Sequence, residues 1–188
     1  MKKKNVILLI VTGVLLSAFL VSGCNPSPKS DNSADNPPLN VSQNKESLVS
    51  KEVVLYFGDD EAMYLIPEKR TIKINSTDKL PAGAIINELI EGPHDKSLRP
   101  TIPKEAKLIS AKVEDKIAYV DFTEEIRTKH WGGSAGETMT IASIVNTLTE
   151  LDDIDKVQIL IGGEKQDTLV GHWYIGEPIE RIEDTIKE

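Results

Sequence analysis

Residues 108–122 read LISAKVEDKIAYVDF, two runs of β-prone residues on either side of a short polar turn. Apolar residues recur at every second position on both sides of that turn: Ile109, Ala111 and Val113 before it, and Ala118, Val120 and Phe122 after it. Because successive side chains of a strand point to opposite faces, each set occupies one face of its strand. The stretch therefore predicts a β-hairpin with one apolar side.

Two helical patterns flank this hairpin. In the first, apolar residues over 85–90 recur at helical spacing, Pro81 suits the first turn, and Gly92-Pro93 is a stop signal. The second runs from about Ser134 to Leu151. Its apolar stripe consists of Ile141, Ile144, Val145, Leu148 and Leu151. Its polar residues fall mostly off that stripe, as in an amphipathic helix.

Further extended runs complete the pattern. They cover residues 52–57, 63–66 and 70–74 before the first helix, and 157–161 and 169–179 after the second. The order is β-β-(β)-α-β-β-α-β-β. Pairs of strands between two helices predict an α+β domain, with both helices on one face of a mixed or antiparallel sheet.

The N-terminus has the layout of a secretory signal. Lysines at positions 2–4 precede an almost unbroken apolar run over residues 6–20, and Val-Ser-Gly follows directly before Cys24, the single cysteine of the sequence. An apolar run of about 15 residues is short of the roughly 20 that span a bilayer, which disfavours an uncleaved membrane anchor. A cysteine at this junction resembles a bacterial lipobox. We therefore predict that residues 1–23 are removed and that Cys24 is diacylated.

Residues 24–48 are rich in proline, asparagine and serine and contain no aromatic residue, so we expect a disordered tether. As a coil, such a segment reaches about 25–30 Å on average. Residues 49–188 then form one domain, which has no disulfide because Cys24 carries the lipid. The formal charge is −8. This acidity argues against a nucleic-acid partner, and membrane contact is expected through the lipid anchor.

The richest local sequence is HWGGSAGE at residues 130–137. As a phosphate-binding loop it lacks both the GxGxxG pattern and the P-loop lysine. As a nucleophile, Ser134 lacks the GxSxG context. Ser134 and Glu137 do match the S-x-x-E capping box, in which each side chain binds a free amide of the first helical turn. We therefore expect these two residues to cap the second helix.

Candidate metal ligands are scattered along the chain. His94, His130 and His172 have no zinc-binding spacing. Asp59-Asp60-Glu61 lacks the spacing of a calcium loop and is expected to be a solvated turn. The sequence therefore predicts no metal, no cofactor and no catalytic residue.

Trp131 and Trp173 are the two tryptophans of the sequence. We expect them at the edge of the domain, where they either pack or present a platform for a partner or a glycan. Together with His172 they are the candidate partner surface.

Seven segments in this order resemble the GerMN domain family over roughly residues 52–182. They are Glu91-Gly92-Pro93, residues 98–103 (LRPTIP), 118–122 (AYVDF), 132–137 (GGSAGE), 144–150 (IVNTLTE), 157–161 (VQILI) and 168–172 (TLVGH). The resemblance implies an α+β fold similar to the ring-building motif. It also implies a lipoprotein or membrane-anchored protein of spore-forming bacteria, and it carries over no catalytic residues.

Two functions follow as hypotheses. The first is a non-enzymatic interaction module at the outer face of the cytoplasmic membrane, in sporulation or germination, which contacts other membrane or exported proteins or further copies of itself. The alternative is a lipoprotein that binds a small ligand or cell-wall glycan. A concave pocket lined by Trp131 and Trp173 favours the second hypothesis. An exposed strand edge or helix face favours the first.

Overall fold

The computed structural model describes residues 47–187. The predicted signal peptide, the lipid site at Cys24 and nearly all of the tether lie outside the described residues. The strands and helices are β1 (Leu48–Gly58), β2 (Leu65–Asn75), α1 (Ala82–Glu91), β3 (Leu108–Glu114), β4 (Ile117–Phe122), α2 (Glu125–Thr128), α3 (Gly133–Leu148), β5 (Lys156–Ile161), β6 (Glu164–Lys165) and β7 (Ile179–Glu180), followed by a 3₁₀ turn at Glu183–Thr185.

The strands form two sheets. β1 and β2 make a long antiparallel hairpin. The second sheet has the order β3-β4-β5-β6, with β7 also paired to β5. It is mixed, because β4 and β5 run parallel while the other pairs are antiparallel. Helix α3 makes the crossover between β4 and β5, the connection that a parallel pair requires.

Helices α1 and α3 pack against each other and against strands of both sheets. Side chains from both helices and both sheets form one continuous apolar core. The predicted α+β class is confirmed, and so is the hairpin over residues 108–122. The division of the strands into two sheets was not foreseen.

Three element predictions differ from the structure. The run at 70–74 and the second half of the run at 63–66 belong to one strand, β2, which begins at Leu65 and passes through Pro67. Pro67 faces Tyr56, whose amide points away from β2, so the absent N–H of Pro67 removes no bond from the ladder. Residues 169–179 are mostly irregular, and the short helix α2 was not predicted.

The polar side of α3 is also buried. Thr140, Ser143, Asn146 and Thr147 are off the apolar stripe as expected, yet each is at most 2% exposed. They reach main-chain groups of neighbouring segments: Ser143 Oγ donates to Tyr56 O at 2.6 Å, and Tyr56 N donates to Thr147 Oγ1 at 3.1 Å. Helix α3 therefore lies along the outer edge of β1 and satisfies part of its backbone.

Candidate binding site at the start of helix α3

The predicted capping box at the start of α3 is wrong. Helix α3 begins at Gly133, its N-cap is Gly132 with φ of 89°, and no side chain caps it. Ser134 therefore lies inside the helix, two positions after the residue that occupies the N-cap. The match to S-x-x-E comes from sequence spacing alone, and Glu137 has other partners.

Glu137 fastens a distant loop to the helix. Its side chain is fully buried, and its oxygens accept hydrogen bonds at 2.9 Å from the amides of Val170 and His172 and from His172 Nδ1. Burial raises the pKa of Glu137, but the hydrogen bonds from Val170, Trp173 and His172 outweigh it and lower the pKa. Glu137 is thus an ionised latch that joins two of the segments behind the GerMN resemblance, 132–137 and 168–172.

Trp131 is held in a partly exposed position. Its side chain is 48% exposed, and its ring stacks on His130 with centroids 6.0 Å apart. His130 Nε2 lies 3.0 Å from Thr140 Oγ1, which anchors the imidazole to the helix. Burial lowers the pKa of His130, and this favours the neutral ring at pH 7.

Two glycines allow the chain to pass this close to α3. A Cβ on Gly136 would lie 2.3 Å from the carbonyl oxygen of Trp131, and a Cβ on Gly132 would lie 3.0 Å from Gly136 Cα. Gly132 also has a positive φ, which other residues rarely adopt. The backbone of Trp131 therefore rests directly on the first turn of α3.

A cavity of about 370 Å³ opens beside Trp131. This volume is within the usual range for small-ligand sites. Its lining is mainly apolar and comes from three separate segments of the chain: Gly58, Asp60, Ala62, Arg99, Pro100, Thr101, Trp131, Gly132, Ala135, Gly136, Met139 and Thr140.

The buried threonines of the lining are occupied within the protein. Thr140 Oγ1 donates to Thr101 O, and Thr101 Oγ1 lies 2.6 Å from Ser143 Oγ. The charged side chains Asp60 and Arg99 are exposed. The polar side chains available to a ligand are therefore those of Asp60 and Arg99.

The three residues of the predicted partner surface have different surroundings. Trp131 lines the cavity, whereas His172 and Trp173 do not. Trp173 is partly buried against the core, and His172 is bound to Glu137. Sequence reasoning missed Asp60, Ala62 and Arg99. Arg99 lies in the family-like segment 98–103, but nothing in its local pattern indicates a ligand.

Asp59 also differs from the expected solvated turn. It is 6% exposed, and its carboxylate accepts hydrogen bonds from the amides of Met63 and Tyr64. Asp60 and Glu61 are exposed, as expected. Between residues 47 and 187, no group of three or more potential ligands could hold a metal ion. In the same range, no helix is long and apolar enough to cross a membrane.

A family model and a curated relative both indicate the same protein family. A family model described as Germane, sporulation and spore germination, matches residues 54–167. The spore germination protein GerM of Bacillus subtilis (strain 168) is 30% identical over 136 residues, which cover 68% of this chain and 36% of GerM. The chain thus spans about a third of the length of that curated relative.

Solved structures agree. A candidate lipoprotein from Clostridium perfringens has 28% identity and a TM-score of 0.50, over 70% of this chain and 87% of that one. The tandem GerMN domains of the sporulation protein GerM from Bacillus subtilis match with a TM-score of 0.55 at 24% identity, over 73% of this chain and 48% of that one. The first GerMN domain of that protein alone matches with a TM-score of 0.51 at 20% identity, over 72% of this chain and 96% of that one. These last two likenesses establish the fold.

Proposed function

The chain belongs to the Germane family of sporulation and spore germination, and from this membership we propose that it is a lipid-anchored assembly module without enzymatic activity. In this proposal Cys24 carries the lipid and holds the domain at the outer face of the cytoplasmic membrane. The domain acts there through contacts with other exported or membrane proteins, or with further copies of itself.

The anchor is supported by sequence. The basic start, the apolar run and the small residues before Cys24 match a lipoprotein signal. The Clostridium perfringens relative is itself described as a candidate lipoprotein. One diacylglyceryl group contributes two chains at about 0.8 kcal/mol per buried CH₂, which is enough for stable anchoring.

The observation that carries the assembly role is the outer edge of β1. At one end of this edge, Tyr56 is bound by α3 and Gly58 is paired with Arg99 through both main-chain groups. Even-numbered residues of β1 therefore point to this edge. Within residues 47–187, the outward amide and carbonyl groups of Ser50 and Glu52 have no hydrogen-bond partner.

The two edges of the hairpin differ in how they resist strand addition. The β2 edge carries Pro67, Lys69 and Lys73, and proline and lysine are residues that block pairing with another chain. The β1 edge has no proline. It ends at the exposed residues Leu48 and Val49, which are 68% and 42% exposed. Such an edge can accept a strand from a partner.

The residues that most resemble catalytic groups already have structural roles. Glu137 and His172 form a carboxylate–imidazole pair, but the carboxylate also accepts two loop amides. Its lowered pKa makes it a poor general base. This arrangement supports a role in holding the loop, and it is consistent with a module that acts by contact.

Lipidation and edge contact can be tested on the full chain. Mass spectrometry should find Cys24 diacylated and at the N-terminus, since an unmodified Cys24 or an intact Met1 contradicts the anchor. With Cys24 consumed by lipid, Ser50→Cys introduces a single thiol at the β1 edge. On vesicles or in cells we expect this thiol to crosslink to another copy or to an exported protein. Lys165→Cys, on the exposed strand β6, is the matched control. Equal crosslinking of both variants contradicts the edge role.

A further inference from the structure

The cavity beside Trp131 differs from an incidental apolar depression of the surface in how its aromatic side chain is held. The chain keeps an indole half-exposed there and fixes it with His130, Gly132 and Gly136. Fixing a side chain in its binding position reduces the entropy that a ligand must overcome. Trp131 is therefore preorganised as one wall of a binding site.

The charges at the cavity restrict the class of ligand. Asp60 and Arg99 have opposite charges and both line it, so their fields offset each other and favour neither a phosphate nor an ammonium group. Within the described residues, the Asp60 carboxylate has no hydrogen-bond partner. The side chain of Arg99 makes a single long contact, 3.4 Å from Nη1 to Lys96 O. Both side chains are free to bind a neutral, polar ligand.

The available polar groups call for a ligand that both donates and accepts. The carboxylate of Asp60 accepts, while the guanidinium of Arg99 donates. Hydroxyl groups do both. The face of Trp131 requires an apolar surface on the same ligand. A pyranose ring has these two properties, an apolar C–H face and a rim of hydroxyl groups.

We propose that this cavity binds a pyranose unit of a glycan, with the sugar stacked on Trp131 and its hydroxyl groups bound by Asp60 and Arg99. An apolar side chain from a protein partner fits less well, because it would bury Asp60 and Arg99 without giving them hydrogen bonds. We assign the glycan to the cell wall because the proposed function places the domain at the outer face of the membrane. The glycan site itself does not depend on the assembly role.

The test uses the full lipidated chain in detergent micelles. The probes are N-acetylglucosamine, its soluble tetramer and insoluble peptidoglycan, which distinguish a free sugar from a polymer. The indole N–H signals of the two tryptophans are followed by NMR during titration with the soluble probes. We expect the signal of Trp131, assigned from its loss in Trp131→Phe, to move, while that of Trp173 stays in place.

Variants separate the site from the fold. Trp131→Ala should weaken glycan binding by about tenfold or more, since it removes the stacking face. Trp131→Phe keeps an aromatic face and should retain most of the binding. Tyr174→Ala is the control, because Tyr174 is 61% exposed and does not line the cavity.

Three results would overturn the inference: no binding of any probe by the unaltered protein, equal binding by Trp131→Ala, or equal loss in Tyr174→Ala. Crosslinking through Ser50→Cys should be unchanged in Trp131→Ala. Loss of glycan binding and loss of assembly are therefore distinguishable.

Discussion

Two loops of this domain carry family-like segments next to a helix, and the fold uses them differently. The segment that follows α1, Gly92–Asp95, is fixed by buried charges. The segment that precedes α3, His130–Gly136, is fixed by glycines and a stacked ring, yet it leaves Trp131 half-exposed. The first loop is explained by stability. The second has an exposed aromatic residue that stability does not require.

The α1 loop is bound by an arginine and a glutamate of β2. The side chain of Arg70 is 4% exposed and donates to Gly92 O at 2.9 Å and to Glu88 Oε2 at 3.0 Å. It also pairs with Glu68. Glu68 in turn accepts hydrogen bonds from the amides of His94 and Asp95. The charged side chains of this network all bind other groups of the same protein.

The largest effect should come from breaking this network. Arg70→Ala leaves the partly buried carboxylate of Glu68 without its cation and the carbonyl of Gly92 without its donor, and we expect a loss of about 3 kcal/mol in the free energy of unfolding. Arg99→Ala, at the exposed cavity, is the matched control and should change stability by less than about 0.5 kcal/mol. Urea unfolding measures both. Similar losses of stability in the two variants would contradict the claim that charged side chains stabilise the first loop but not the second.

The next largest effect concerns Glu137, which binds the loop at residues 170–172 to helix α3. Glu137→Gln removes charge-assisted hydrogen bonds to three donors and should cost about 2 kcal/mol at pH 7. Because the folded-state pKa of Glu137 is lowered, its contribution is present above the ordinary glutamate pKa of about 4.3 and is lost as the pH falls through the folded value. The gap between the two proteins should therefore close on acidification. A gap that is constant with pH would contradict the ionised latch.

Replacing one glycine in each helix by alanine compares how closely α3 and α1 are packed at those positions. Gly136→Ala places a Cβ 2.3 Å from the carbonyl oxygen of Trp131, so the backbone must move, and we expect a loss of about 1–3 kcal/mol. In α1, the nearest atom to a Cβ on Gly83 is 3.6 Å away, so Gly83→Ala should stabilise by about 0.5–1 kcal/mol. Thermal unfolding gives both signs. A neutral Gly136→Ala would mean that Trp131 is not held by close packing.

The smallest effect concerns Ser134. The sequence predicts a cap there, and a lost cap costs about 1 kcal/mol. The structure gives its side chain no capping bond, so Ser134→Ala should stay within about 0.5 kcal/mol of the unaltered protein. A loss near the full capping value, measured by urea unfolding, would restore the capping box.

What the sequence predicted correctly depends on near neighbours. The alternation over 108–122 is a local property, and the structure has both strands where the pattern placed them. The predicted apolar face fails at Ile109, which is 52% exposed because the register shifts between Leu108 and Ser110. The Ser134 and Glu137 prediction was wrong because the partners of Glu137 lie 33 and 35 residues away, at Val170 and His172. Local spacing carries no information about such donors.

The candidate site was less accessible to sequence reasoning. Trp131 was singled out because an exposed tryptophan favours interfaces. Its cavity is assembled from three segments, 58–62, 99–101 and 131–140, which meet only after folding. The buried polar face of α3 has the same origin, because β1 is more than 85 residues earlier in the chain.

The central proposal is that anchoring allows weak contacts of the β1 edge to assemble the domain. Confinement to a membrane raises the local concentration of neighbouring copies and partners. The direct measurement compares sedimentation of a soluble form, residues 48–188, with energy transfer between labelled lipidated copies at increasing surface density. We predict a monomer in solution, association on the bilayer that rises with density, and its loss in Ser50→Pro, which removes an edge amide. Lipidated copies that stay monomeric at high density and bind no exported protein would contradict the account.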